Sequence, residues 1–572
     1  MFVKKNKIFE KFQKEKIEIK ISELKNKLNI FEDFFIFKED KKIRIYDRVC
    51  DHAGGKLISK NNKIICPIHN WEFCIKKKKY TNGFNKKEIK FKNKDDSIEF
   101  FINKNIPQIK QYKTRSENNF KIKFINHACI KIEHEKFSFA TDPWCYGPAF
   151  NNGWWLKKNS RKNWLDELNT CDFLYISHNH PDHLHKLSLE DVDKSKKIII
   201  PKFNSDSTGL LLEDLGFRNI DRLDFNYQYK MKNTPLNLSI LKSGDFREDS
   251  GLYFSIGKFT SLMDVDSNNI NFSKLPNVTM YASSFSGGAS GYPLMFDNFS
   301  EIDKKKIIIR NRNFILSKKK QNMSKIKPKY FFPYASYFSE NLLRDSSVKE
   351  MNKKNSIDDY KSFCDSNNTK ILNTENNNEF LFNGEKLEKV TNSSKDEVTD
   401  KKPIEYLKKF KLKYSNIDEK YIKKYFEESK FSEKLQLFIN LTDDNFISYD
   451  KCYFIDFSSK KLSLKKLTMI KLEEKFLNKN TKKNKLYLKI RKESFLATIY
   501  EKDPWEDLLI GFSCKVLREP NIYNAKFWYH FTNNYISKNR VNAQLNCNSC
   551  DSINQEFDKS MSNVMVNNTQ KI

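Results

Sequence analysis

The sequence predicts a multidomain α+β protein. A small all-β domain is expected over residues 30–106, a sandwich of sheets with outer helices over 118–345, and a mixed α/β region over 403–540. Three observations predict this. The chain has 572 residues, enough for about two to four domains that each bury a core. Its first hundred residues hold short strand-like runs broken by Gly54-Gly55 and Asn82-Gly83 turns. Beyond residue 118, apolar strands alternate with helical stretches, which calls for packed layers.

Taken in order, residues 1–30 are Lys/Glu-rich, with Ile17, Ile19 and Ile21 followed by Leu24 and Leu28. That spacing predicts a short strand leading into a helix. Ile43-Arg44-Ile45-Tyr46 and Lys63-Ile64-Ile65-Cys66 read as strands of the small domain, and 107–116 as a linker. In the second domain Phe120, Ile122 and Phe124 alternate, and Phe173-Leu174-Tyr175-Ile176 is a continuous apolar strand. Further strands are expected at 197–200, 236–241, 252–256 and 278–281, with helices at 210–215 and after Glu301. Residues 346–402 are rich in Asn, Lys and Ser and read as a polar linker or insertion. Tyr406, Phe410 and Tyr414 have helical spacing, and Leu486, Leu488 and Ile490 alternate as in a strand. Residues 541–572 read as a disordered tail.

The formal net charge is +31, yet 13 of the 104 basic residues are Arg and the other 91 are Lys. Arg is the residue suited to reading phosphates and guanines bidentately, so a specific nucleic-acid partner is not expected. No apolar run reaches the ~18–20 residues of a membrane span. The start of the chain lacks an apolar signal core, and its 11 Cys are scattered, which together suggest reduced thiols in the cytoplasm. Histidine is the informative residue: eight of nine lie between His52 and His185.

Two constellations use most of these histidines. The first is Cys50-Asp51-His52, then thirteen residues, then Cys66-Pro67-Ile68-His69. Two Cys and two His suit tetrahedral zinc or a Rieske [2Fe–2S] cluster. Each loop supplies one thiolate and one imidazole, as a two-iron cluster gripped by two hairpin loops requires. Gly54-Gly55 allows a tight turn behind the first loop. This pattern resembles the Rieske proteins of the oxygenase and ferredoxin type. Such a cluster moves one electron at a time and needs both a donor and an acceptor.

The second constellation is His178-Asn179-His180-Pro181-Asp182-His183, directly after a buried strand. Three His and one Asp within six residues point to a bound cation. The motif resembles the metal loop of the metallo-β-lactamase fold, which implies an αββα sandwich. No His follows between His185 and His530, so two later His ligands of that fold are missing. A complete dinuclear hydrolase centre is therefore not expected. The expectation is one metal held by His178, His180 and a carboxylate, Asp266 first and Asp245 second, with Asp182 and His183 completing or supporting it. That set matches non-haem Fe(II) sites, with zinc as the alternative. His127 is a further candidate, with a satisfied core His as the equal alternative. Cys74 is read as an ordinary buried thiol, His134 and His185 as surface residues or supports behind the metal ligands, and Cys547-x-x-Cys550 as standing alone in a polar tail with only a weak signal for a metal or redox role.

The pairing of these two domains resembles the CMP-N-acetylneuraminic acid hydroxylase family. Further shared motifs are Thr141-Asp142-Pro143-Trp144, Gly153-Trp154-Trp155, Phe285-Ser286-Gly287-Gly288, Pro504-Trp505-Glu506-Asp507 and Phe527-Trp528-Tyr529-His530. The resemblance implies an O2-dependent monooxygenase that hydroxylates the N-acetyl group of CMP-sialic acid or a similar N-acylated sugar nucleotide. It also implies a reduced electron donor such as cytochrome b5, or ferredoxin with its reductase. Oxidising a methyl C–H needs a redox metal with open positions and electrons arriving singly, which the two domains together would supply. The competing expectation is a metallohydrolase whose Rieske domain is structural or regulatory. Trp144, Tyr146, Trp154 and Trp155 are weighed as stacking or packing residues, with packing favoured, and 287–291 as a phosphate cradle or a tight turn.

Overall fold

The fold is taken from a computed structural model. It describes residues 1–7, 12–31, 33–40, 42–48, 57–60, 63–65, 72–80, 85–105, 119–203, 205–243, 248–267, 270, 275, 278–288, 291–374, 378–390, 397–398, 400–459, 462–478 and 483–535. Alternation sets the middle of the molecule: in the strand Asn119–Asn126, Phe120, Ile122 and Phe124 are buried and Lys121 is exposed. This strand lies in an eight-stranded sheet, in the order Ile220–Leu223, Lys197–Pro201, Phe173–Tyr175, Phe137–Thr141, Cys129–His134, Asn119–Asn126, Glu379–Asn383 and Leu387–Val390. Its parallel strands are buried on both faces, which is why Phe173–Tyr175 and Lys197–Pro201 read as unbroken apolar runs.

A second eight-stranded sheet faces it. Its order is Phe2–Lys7, Tyr227–Met231, Leu236–Lys242, Ser250–Ile256, Phe259–Met263, Met280–Ser283, Tyr330–Pro333 and Lys370–Ile371. One core joins the two, with Phe120, Ile132 and Phe139 against Leu238, Phe254 and Leu262. The outer face of the first sheet is covered by helices Trp164–Asn169, Lys186–Asp191 and Ser207–Asp214 through Leu168, Leu189 and Leu212. Helices Glu301–Ile326 and Asp358–Ser366 cover the second sheet, where Tyr360 packs on Phe331 at 5.3 Å. The layers are αββα, the order of a metallo-β-lactamase-type sandwich.

Three expectations are corrected. The stretch 346–402 is not a linker: it supplies one strand to one sheet and two to the other, and Arg161 holds Glu379 at 2.6 Å. The helix expected over Leu24 and Leu28 is only a single 3-10 turn, Ile21–Glu23. Lys27 takes φ +78, and Asn29 both accepts from Lys25 N and donates to Lys25 O, closing a turn instead. The small domain also begins before residue 30, because Phe12–Lys20 pairs with Ser97–Asn105. The first strand, Phe2–Lys7, belongs to the sandwich and pairs with Tyr227–Met231. Within the small domain, a three-stranded and a four-stranded sheet pack through Phe35, Tyr46, Ile64 and Phe73.

The C-terminal region is a five-stranded sheet, in the order Leu464–Leu467, Ser448–Asp456, Leu435–Thr442, Asn484–Arg491 and Cys514–Glu519, with helices that include Pro403–Lys413. It shares a core with the sandwich, where Trp144, Phe150, Trp154 and Phe338 meet Leu437, Leu488, Trp505 and Phe531. The backbones approach closely: a Cβ on Gly153 would lie 2.3 Å from Gly511 O, so only glycine fits. No helix among the described residues is long and apolar enough to cross a membrane.

The region ends in a π-helical turn, His530–Asn534, where His530 Nε2 donates to Ser429 O at 2.9 Å. Burial pushes the His530 imidazole down to about 4, with the Ser429 contact opposing. Between its ordinary value near 6.5 and that point, the unfolded chain binds a proton that the folded one refuses. This contribution is therefore intact above about pH 6.5 and is lost as pH falls to about 4, by up to about 3 kcal/mol. Melting curves are expected to fall more steeply from about pH 7 to 5 in the native chain than in His530→Gln. Equal slopes would contradict the assignment.

Candidate metal centre

Strand ends from both sheets meet at one point. Phe173–Tyr175 runs directly into Ile176-Ser177-His178. Phe137–Thr141 ends at Asp142, whose Oδ1 accepts from Ser177 N at 2.7 Å and whose Oδ2 accepts from Ser177 Oγ at 2.9 Å. Phe259–Met263 delivers Asp264-Val265-Asp266. His127 sits in the turn between Asn119–Asn126 and Cys129–His134. His127, Asp142 and Val265 have φ of +41°, +37° and +50°. Left-handed backbone at such residues costs about 1–3 kcal/mol each and persists only where the surroundings enforce it. Here Ala335 N donates to His127 O at 2.8 Å, and Asp142 N to Tyr175 O at 2.9 Å.

The ring orientations follow one scheme. His178 Nδ1 meets Ser177 Oγ at 2.9 Å, and its Nε2 faces His180 Nδ1 at 2.8 Å. His183 Nδ1 meets Asp142 Oδ2 at 3.1 Å, while its buried Nε2 has no hydrogen-bond partner among the described residues. That Nε2 lies 3.3 Å from Asp182 Oδ2 and 3.8 Å from Asp266 Oδ2. His180 Nε2 faces Glu506 Oε2 at 3.6 Å. Each ring thus has one nitrogen facing an outer partner, hydrogen-bonded for His178 and His183 and paired at ion-pair distance for His180, and the other turned inward. That is how metal-bound imidazoles are fixed in tautomer and direction.

Three sets of donor atoms lie close enough to share an ion: His178, His180 and Asp249; His127, Asp182 and His183; and His178, His183 and Asp266. His127 Nε2 is 3.1 Å from Asp182 Oδ2. His127 Nδ1 and Asp182 Oδ1 are buried and unpartnered among the described residues. The charges agree with a cation site. Burial would lower the His183 imidazole, but Asp182 and Asp142 outweigh it and hold it well above the ordinary value. Burial likewise opposes the rise of His180 to about 9, with Glu506, Asp249 and Asp182 prevailing. Burial would raise Asp182, yet His183 and His127 keep it well below the carboxylate range. The carboxylates draw positive charge onto this spot, and a divalent ion satisfies the same demand, so the residues fit a metal.

Of the expected residues, the structure brings together His178, His180, Asp182, His183 and Asp266, with His127 among them. Asp245 lies outside the described residues, as do Cys50, His52, Cys66 and His69 of the first constellation and Cys547 and Cys550. Asp249 was missed, a single carboxylate with no spacing signal, while Asp142 and Glu506 stood within motifs of the family resemblance but without a role at this site. His185 caps helix Lys186–Asp191, its Nε2 donating to Pro148 O at 3.0 Å and its Nδ1 accepting from Ser188 N. Burial pushes it down to about 4, consistent with a neutral ring. His134 stacks on Phe137. The tryptophans are packing residues: Trp144 donates to Gly147 O, Trp155 to Asn152 O, and Trp154 lies flat on Phe338 at 3.6 Å.

The mouth of the centre is a small cleft lined by Asn179, His180, Glu248, Asp249, Glu506, Tyr529, Thr532 and Asn533. Half of that lining comes from beyond residue 500. Asn179 Nδ2 donates to Thr532 O at 3.1 Å, and Tyr529 Oη to Glu248 Oε1 at 2.8 Å.

The Rieske [2Fe-2S] domain family matches residues 14–90, which span both Cys-x-His and Cys-x-x-His loops. The cytidine monophosphate-N-acetylneuraminic acid hydroxylase of Macaca mulatta is 26% identical over 561 residues, covering 90% of this chain and 92% of the relative. That of Xenopus laevis is 27% identical over 540 residues, covering 87% and 88%. Among solved structures, CmlA, a diiron beta-hydroxylase from Streptomyces venezuelae, aligns at 18% identity and TM-score 0.27 over 40% of this chain and 46% of its own. Igni18, a metallo hydrolase from Ignicoccus hospitalis, aligns at 11% identity and TM-score 0.31 over 46% and 98%. These structural likenesses are too distant to bear weight, and the fold rests on the sheet order above. The chain carries a Rieske [2Fe–2S] domain and, in an αββα sandwich, a buried His/Asp cluster whose donor atoms lie close enough to share an ion, and along about 90% of its length it is similar to the cytidine monophosphate-N-acetylneuraminic acid hydroxylases.

Proposed function

We propose that this protein is an O2-dependent monooxygenase that hydroxylates the N-acetyl group of CMP-sialic acid or a similar N-acylated sugar nucleotide. Cys50, His52, Cys66 and His69 would hold the Rieske cluster, which would supply one-electron transfer from a donor such as cytochrome b5, or ferredoxin with its reductase. The observation that carries the reading is the convergence of inward-turned His178, His180 and His183 with Asp182, Asp249 and Asp266, in a chain that also has a Rieske domain. A cation site and a one-electron relay are needed together for oxygen chemistry, and a hydrolytic site needs only the first.

Iron bound here would supply O2 activation at its open positions. The first and second donor sets share no residue, and Asp266 groups with a histidine from each. This supports two ion positions over the single iron suggested by sequence. The chain's own groups do the rest. Ser177 and Asp142 hold the His178 and His183 rings, and the C-terminal region walls the mouth and limits water. Asn179, Tyr529 and Asn533 line this mouth, where their side chains tie the C-terminal region to the sandwich.

The test is incubation of purified protein with CMP-N-acetylneuraminate, labelled O2 and a reducing system. Mass spectrometry should find a product heavier by one labelled oxygen atom. A product that forms without reductant would favour the metallohydrolase reading instead.

A further inference from the structure

We propose that Glu506, carried by the C-terminal region, is a positioning residue of the metal centre that fixes the His180 ring with Nδ1 turned to the cation. This rests on the reading of the sandwich as metal-binding. The geometry is specific. His180 Nδ1 faces His178 Nε2 at 2.8 Å, so this edge of the ring points to the donor set shared with Asp249. The opposite edge, Nε2, faces Glu506 Oε2 at 3.6 Å. The other carboxylate oxygen, Oε1, accepts from Tyr523 Oη at 3.1 Å, and Glu506 N donates to Thr532 Oγ1 at 3.1 Å. Glu506 is itself held, as a group that aims another must be.

The comparison within the site strengthens the assignment. His178 is held by Ser177 and His183 by Asp142, both from the sandwich. For His180 that outer partner comes from 326 residues further along the chain. The same segment grips the loop at the neighbouring residue, where Asn179 Nδ2 donates to Thr532 O at 3.1 Å and lies 3.3 Å from Asn533 Oδ1. Thr532 and Asn533 lie in the π-helical turn His530–Asn534, and single π turns recur at functional sites. The C-terminal region is then part of the metal centre, and the lactamase-type sandwich alone is incomplete.

The experiment titrates full-length, cluster-loaded protein whose sandwich site has been stripped of metal with Co(II), and reads affinity and the visible absorption of the bound ion. Glu506→Gln is expected to bind Co(II) about 10–100-fold more weakly, with shifted absorption bands and an unchanged Rieske EPR signal. Glu506→Asp should recover part of the affinity. A folded Glu506→Gln protein with native affinity and spectrum would overturn the proposal. If that variant does not fold, Glu506→Asp decides: weakened binding supports the role and native binding overturns it. A native protein that binds no Co(II) would sink the metal reading itself, a result distinct from the failure of Glu506 alone.

Discussion

His183→Ala is expected to lower the metal content of the centre and abolish product formation while leaving the Rieske EPR signal intact. His183 belongs to two of the three donor sets, and its Nε2 is a buried nitrogen left for a ligand bond. Its removal also strips Asp142 of a partner and leaves buried carboxylates facing one another. The loss of metal affinity should exceed the ~10–100-fold expected from losing an outer partner. Metal analysis of purified variant and native protein checks this. Retention of the native metal content beyond that of the cluster would show that the ion is held elsewhere.

Cys66→Ser is expected to have the complementary effect. Loss of one thiolate should remove the Rieske signal, and reductant-driven turnover should fall by at least ~10³-fold, a barrier change of about 4 kcal/mol. The sandwich should keep its metal, because its donors are all between residues 127 and 266. The pair of variants separates electron delivery from oxygen chemistry. If Cys66→Ser protein still turned over substrate at the native rate, the cluster would be structural and the hydrolase reading would stand.

Much of the site was legible because histidine is scarce. With eight of nine His before residue 186, a six-residue run holding three of them could not be background. The same scarcity marked His127, which proves to lie 3.1 Å from Asp182. Carboxylates gave no such contrast among 73 Asp and Glu, so Asp249 emerged only from folding, and so did the roles of Asp142 and Glu506, which the sequence marked only as parts of shared motifs. Asp142 depends on a left-handed turn at a strand end, and Glu506 on a contact made across more than 300 residues. The sandwich core was legible from alternation, as at Phe120, Ile122 and Phe124. Its outer pieces were not. Lys370–Ile371 and Leu387–Val390 are short edge strands with one partner each, and edge strands tolerate polar residues. Phe2–Lys7 pairs with a strand more than 200 residues away, and no local pattern encodes that. The helix expected over Leu24 and Leu28 stops after one 3-10 turn, Ile21–Glu23, because φ +78 at Lys27 turns the chain into a strand although the two leucines match helical spacing.

The central claim is that electrons from the cluster are consumed at the sandwich's metal centre to oxygenate substrate. Single turnover tests it most directly. Protein reduced anaerobically at both cluster and metal centre, freed of reductant and mixed with CMP-N-acetylneuraminate and O2, would draw the two electrons of one hydroxylation from these two reservoirs, one from the cluster, and should lose its reduced-Rieske EPR signal in step with the appearance of oxygenated product. A product formed while the cluster stays reduced, or a cluster oxidised with no oxygenated product, would contradict the account.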